Sequence, residues 1–174
     1  MKRQILAIPV VMVFALMGCG GDGDGDGNAQ GQSADDQPAK ETGQAFKVDF
    51  AANDVGKRLC SALTQDEIGK LVGEKVETGE VSGPLGSACT WDLPDDLSVM
   101  VQVVPPEYWE PHDTQGHREL TGIADQAYVE RSGFGDGWVA GAMRKDLVVV
   151  ADVGGDDTEK AAIDVLKLTL TRLK

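Results

Sequence analysis

Two histidines, His112 and His117, stand close to Glu107, Glu110 and Asp113. Imidazoles and carboxylates gathered in one short stretch are the raw material of a zinc site. Structural zinc sites, however, space their ligands at i, i+3 or i, i+4 and add thiolates, and catalytic ones need three protein ligands in fixed geometry. This pair is spaced too widely, in a proline-flanked segment, so the sequence assigns no metal here. A second candidate is the run Asp22, Asp24, Asp26 and Gly27, which copies the opening of an EF-hand calcium loop. Its closing bidentate position falls on Ser33, which cannot supply two carboxylate oxygens, and neither flank reads as a helix. No G-x-S-x-G elbow, P-loop or helix-opening G-x-G-x-x-G occurs. The run "GFGDG" (133–137) joins two strand-like stretches and reads as a hairpin turn. Acids are plentiful, but none is singled out as a pair for glycoside cleavage. No catalytic residue, metal ligand or cofactor is therefore assigned.

Aromatic side chains are the better candidates for contact. Tyr108 and Trp109 sit among prolines in "PPEYWEP", and Trp138 opens a later strand-like run. Loops on a rigid scaffold often carry binding, and Tyr and Trp are enriched where binding energy concentrates. The competing reading is that these rings close over one end of a sheet. Tyr108, Trp109 and Trp138 are taken as possible ligand or partner contacts.

Cysteine usage speaks to location. Lys2 and Arg3 precede an apolar run from Ile5 to Met17 that is too short for a permanent membrane helix. The run ends in "LMGC", which resembles a bacterial lipobox closing on Cys19. That resemblance implies a leader over 1–18, cleavage before Cys19 and acylation of its thiol. Two or three acyl chains hold stably, because each buried methylene contributes about 0.8 kcal/mol and one chain alone is marginal. The expected address is the exported face of the cell membrane, where disulfides persist. Cys60 and Cys89 are then the remaining thiols and are expected to pair. A redox-active pair is the alternative, but such pairs favour C-x-x-C at a helix N-terminus, and this separation argues against it.

The formal net charge is −13. Phosphate-rich nucleic acid needs a basic surface and is excluded as a partner. Residues 19–46 hold almost no large apolar side chains and cannot bury enough surface to offset chain entropy, so a disordered tether is expected. A Gly-rich linker of this length spans about 30 Å. The rest, 47–174, is one domain of ordinary size.

The elements that must position these residues follow from pattern. Thr64 and Glu67 form a capping box, with Leu63 and Ile68 placed as a hydrophobic staple. Ile68, Leu71 and Val72 share a face and Gly73 suits a left-handed cap, which predicts a helix over 65–72. Strands are predicted over 75–81, 87–93, 97–104, 125–131, 138–144 and 146–153 from alternation and turn residues. A turn of helix is expected around Glu107 to Glu110. Asp156 or Asp157 should cap a final helix whose Ile163, Leu166, Leu170 and Leu173 repeat at helical spacing. The predicted fold is α+β: a mainly antiparallel sheet of about six strands, with a short N-terminal and a C-terminal helix packed on one face.

The segments "LCSALTQDEIGKLVGEKV", "GSACTWDL" and "LTGIADQAYV" resemble small actinobacterial lipoproteins that carry a paired-cysteine domain of unknown function. Cys60, Leu63, Thr64, Glu67, Gly73, Cys89, Trp91, Gly122, Asp125 and Ala127 match that pattern. Ala124 departs from it where Gly is usual. The matching residues are a cap, a disulfide and a core aromatic, so the resemblance implies a fold and an address but no activity. The resulting expectation is a non-enzymatic envelope lipoprotein that meets the membrane through its anchor and binds an envelope protein or small ligand. An envelope hydrolase with an unrecognised acid/His site is the alternative.

Overall fold

The computed structural model describes residues 43–109, 116–133 and 135–174. The leader, Cys19 and the expected tether up to residue 42 lie outside the described residues, as do Glu110, His112 and Asp113; the tether's last residues, 43–46, are described, and Phe46 is bonded to the end of the chain.

A helix, α1 (Val55–Ala62), comes first and buries Val55, Leu59 and Ala62 on one side. It is followed by α2 (Gln65–Val72), as the capping signals predict. The Thr64 hydroxyl accepts from the Glu67 N–H, and the Glu67 carboxylate accepts from the Thr64 N–H at 3.1 Å. Gly73 closes α2 at φ 79°, a conformation that costs glycine no Cβ clash. Leu63 and Ile68, the staple pair, are both fully buried.

One antiparallel sheet follows. Its strands are β1 (Glu80–Ser82), β2 (Ala88–Asp92), β3 (Ser98–Val104), β4 (Arg118–Glu119), β5 (Gln126–Arg131), β6 (Gly137–Arg144) and β7 (Leu147–Gly154). They lie in the order β1-β2-β3-β7-β6-β5-β4. A final helix, α3 (Glu159–Arg172), packs on β5, β6 and β7, while α1 packs on β1, β2 and β3. The α+β class, the antiparallel sheet and the single helical layer match the sequence expectation.

Register places Cys89 opposite Val101, Trp91 opposite Val99, Val101 opposite Ala151, and Ala151 opposite Ala140. This row of buried side chains faces the helices and forms the core. Short Ala140, Ala142, Ala161 and Ala162 line the contact of α3 with the sheet, so helix and strands approach closely.

Several expectations are corrected. Residues 75–79 are not strand, and β1 keeps only Glu80–Ser82. A Cβ on Gly79 would lie 2.5 Å from the Trp91 indole nitrogen and 2.8 Å from the Cys89 sulfur. The chain there passes over the indole and the disulfide and keeps one bond to β2, from Glu77 N–H to the Asp92 carbonyl at 3.0 Å, and Val76 drops into the core. The extra strand β4 raises the count to seven. The helix predicted first, over 65–72, is the second: α1 precedes it, and Cys60 sits in the last turn of α1. The N-cap of the final helix is Thr158, not Asp156 or Asp157. The Thr158 hydroxyl donates to the Val153 and Gly155 carbonyls at 2.9 and 2.6 Å and so braces the turn that launches α3. The turn of helix expected around Glu107 to Glu110 lies earlier, at Pro106–Tyr108.

Candidate functional site

The sheet face away from the helices carries Tyr128 and Glu130, which alternation in β5 sets on one side. Tyr128 pairs with Gly141 on β6. A Cβ on Gly141 would fall 2.4 Å from the Tyr128 ring, so the ring lies flat across the glycine backbone. Trp109, at the end of the Pro106–Tyr108 turn, meets Tyr128 edge-on with ring centroids 5.3 Å apart. His117, just before β4, stacks on Tyr128 with centroids 5.7 Å apart and planes 20° apart. Its Nδ1 lies 3.0 Å from Glu130 Oε2.

Glu130 is 2% exposed. A buried carboxylate is costly unless it is hydrogen-bonded, and His117 supplies a bond. A neutral His117 that donates from Nδ1 carries its basic lone pair on Nε2. Burial and the Glu130 charge push the Tyr128 phenol up to about 12, so it stays protonated across the physiological range.

These rings form one wall of a cleft of about 440 Å³. Glu119 of β4 and Thr121, Gly122 and Asp125 of the β4–β5 connection line the rest of it. Gly122 turns that connection at φ 77°, Leu120 N–H donates to the Ala127 carbonyl at 2.9 Å, and Asp125 accepts from the Lys145 N–H at 3.0 Å. The lining includes two acids and neither Lys nor Arg. Aromatic surface, carboxylates and a histidine suit a neutral or cationic ligand with N–H or O–H donors. They do not suit an anion.

The structure sets the three predicted contact aromatics in three places. Trp109 borders this cleft. Trp138 is on the helix side of the sheet, where its indole N–H donates to the Asp156 carbonyl at 2.8 Å and the Arg131 guanidinium sits 4.5 Å above its ring. Tyr108 is 65% exposed beside a separate apolar cleft. Cys60 and Cys89 form a disulfide that ties α1 to β2. Among the described residues no group of three or more His, Cys, Asp and Glu side chains is placed to hold a metal ion, and no helix is long and apolar enough to cross a membrane. The His117–Glu130 contact continues the β4–β5 register, in which Arg118 faces Val129, and the sequence pattern did not reveal it because it carried no signal for β4. The one available signal was the acid two residues beyond Tyr128 on the same strand face.

Residues 14–165 match the model of a family described as a protein of unknown function, DUF3558. No curated protein and no solved structure matches the chain.

Proposed function

Starting from the fact that this chain belongs to the DUF3558 family, whose function is unknown, we propose that it is a lipid-anchored envelope protein that binds a ligand without turning it over. Cys19 is its acylated attachment point and the exported face of the cell membrane its address. The lipobox resemblance and the Cys60–Cys89 bridge support that address, since disulfides persist in exported compartments. The family match takes in Cys19 together with both domain cysteines.

The observation that carries the binding role is the cleft walled by Trp109, His117 and Tyr128, with two acids and neither Lys nor Arg in its lining. Concave sites with aromatic walls and a few fixed polar groups are where small ligands bind. The ligand expected there is neutral or cationic and carries hydrogen-bond donors.

One observation favours a second reading, an envelope hydrolase. The His117–Glu130 contact has the base-and-orienter geometry of acid–base catalysis. The same contact also anchors the segment before β4 to the sheet, which is a structural role sufficient to explain it.

A photo-crosslinking residue at Thr121, on the cleft rim, tests the binding role in intact cells. Capture above the background of Cys19→Ala, and its loss in Trp109→Ala, is the expected result. No capture above that background overturns it. Turnover of simple esters that disappears in His117→Ala would replace binding by hydrolysis.

A further inference from the structure

The large apolar side chains that stand exposed among the described residues are Val81, Leu85 and Tyr108, at 53%, 88% and 65%. Val81 and Leu85 belong to β1 and the turn after it, and Tyr108 to the turn after β3, which brings all three to one end of the sheet. Leu85 and Tyr108 border a single apolar cleft of about 230 Å³, floored by Phe50, Val103 and Pro105. Val81 adjoins it: its methyl group would lie 3.4 Å from a Cβ on Gly86, the next residue of the Leu85 turn. Leu85 itself has φ 55°, the left-handed region that branched L side chains rarely adopt. A strained backbone that presents an apolar side chain to water serves no purpose in the core.

Size and charge together point to an occupant. Enclosed sites for free small molecules run to roughly 300–1,000 Å³, so this cleft is undersized for one. It suits a single anchoring side chain projecting from a partner, the arrangement found at interface hot spots. Two exposed acids border the cleft along the chain: Asp49 precedes Phe50 and Glu107 precedes Tyr108, and both aromatics line it. The cleft lining contains neither Lys nor Arg. We infer that this end of the sheet docks a protein segment in which one large apolar residue is flanked by lysines or arginines. A second copy of this chain would bring a matching acidic rim and net charge of the same sign. An anionic bilayer would repel the rim as well. The inference is independent of the cleft at Trp109.

The test uses the full-length protein in non-ionic detergent micelles and three fluorescein-labelled peptides. They are Lys-Arg-Leu-Phe-Arg-Lys, the same peptide with Leu-Phe replaced by Ala-Ala, and the acid-flanked Glu-Asp-Leu-Phe-Asp-Glu. Fluorescence anisotropy should show binding of the first alone, above empty micelles, and weakening as salt rises. Leu85→Asp and Tyr108→Ala should each weaken it tenfold or more. Both positions are exposed, and an unchanged melting temperature confirms that each variant folds. Equal binding of all three peptides, no binding of the first, or indifference to both substitutions overturns the inference. So does a concentration-dependent dimer in sedimentation equilibrium that Leu85→Asp abolishes, which would make the occupant a second copy. A solvent-sensitive dye on Leu85→Cys that shifts blue in proteoliposomes of phosphatidylglycerol and phosphatidylethanolamine, with no peptide present, would make it the bilayer and also overturn it.

Discussion

At Tyr128 a single ring does three things: it covers the Gly141 backbone, receives Trp109 edge-on and stacks with His117. Its phenol is buried beside Glu130, and ionisation would place two negative charges together in a poorly solvated site. The phenol is therefore raised from 10.0 to about 12 in the folded protein. A group raised in this way leaves stability intact below the unfolded value and lowers it as pH climbs through the folded one. The Tyr128 contribution should therefore hold up to about pH 10 and fall by about 2–3 kcal/mol by pH 12. Ultraviolet titration of phenolate in Tyr108→Phe, which leaves Tyr128 as the remaining tyrosine, should give a midpoint near 12; an ordinary midpoint would place the ring in water. Asp152, on β7, follows the same sign for a different reason. Burial raises its pKa, and the Ser132 hydroxyl, 3.2 Å from Oδ2, works the other way. Its contribution is complete below the usual carboxylate range and is lost as pH rises through the raised value. Asp152→Asn should accordingly raise the melting temperature at neutral pH and leave it unchanged at pH 3. Equal melting temperatures at both pH values would remove the burial argument.

The helices show what kind of signal survives from sequence to fold. Every marker of α2 is local, and every one is used: the Thr64 cap, the Glu67 return bond, the buried staple and the left-handed Gly73. Glu67 has a further role, because its other carboxylate oxygen takes the Arg172 guanidinium from the end of α3. Thr64→Ala should cost about 1 kcal/mol in urea unfolding, as N-cap losses do. Glu67→Ala should cost more, since it removes the cap bond and the tie to α3 together. Equal costs would mean that the tie contributes nothing. Where the cause is not local the sequence was mute. No side-chain cap announces α1, whose Asp54 makes no capping bond and pairs with Arg58 instead. Alternation in "KVETGEV" suggested a strand, but Gly79 allows the chain to pass over Trp91, and packing against that indole overrode the local pattern. The candidate site was legible only in part, since Trp109 lies in a turn the sequence marked, whereas His117 meets Tyr128 and Glu130 through the β4–β5 pairing, and two-residue β4 leaves no strand pattern to read.

On the scale of the molecule the helical layer has two parts. α1 covers β1, β2 and β3, and α3 covers β5, β6 and β7. The β3–β7 pairing joins the two halves through the middle of the sheet. Phe46 adds a second join, exchanging backbone bonds with Arg172 and Lys174 at 2.8 and 3.0 Å. These joins are strong in the α3 half, whereas the α1 half is an edge: β1 has three residues and 75–79 make no ladder. The Cys60–Cys89 bridge is placed on that weaker half. It closes a loop of 29 residues, for which chain entropy gives about 3.5 kcal/mol. Because the bridge lies on one half, its loss should not weaken the domain evenly. In Cys60→Ala/Cys89→Ala, hydrogen exchange should speed first in α1, β1 and β2, while β6, β7 and α3 keep their protection until global unfolding. Urea unfolding should lose about 3 kcal/mol in total. Uniform acceleration across both halves would show that the sheet opens as one unit and that the bridge constrains only the unfolded chain. A loss confined to the α1 edge would mean that the bridge holds in register the end of the sheet where Val81, Leu85 and Tyr108 are displayed, so peptide binding there should fall on reduction while the cleft at Trp109 is unaffected.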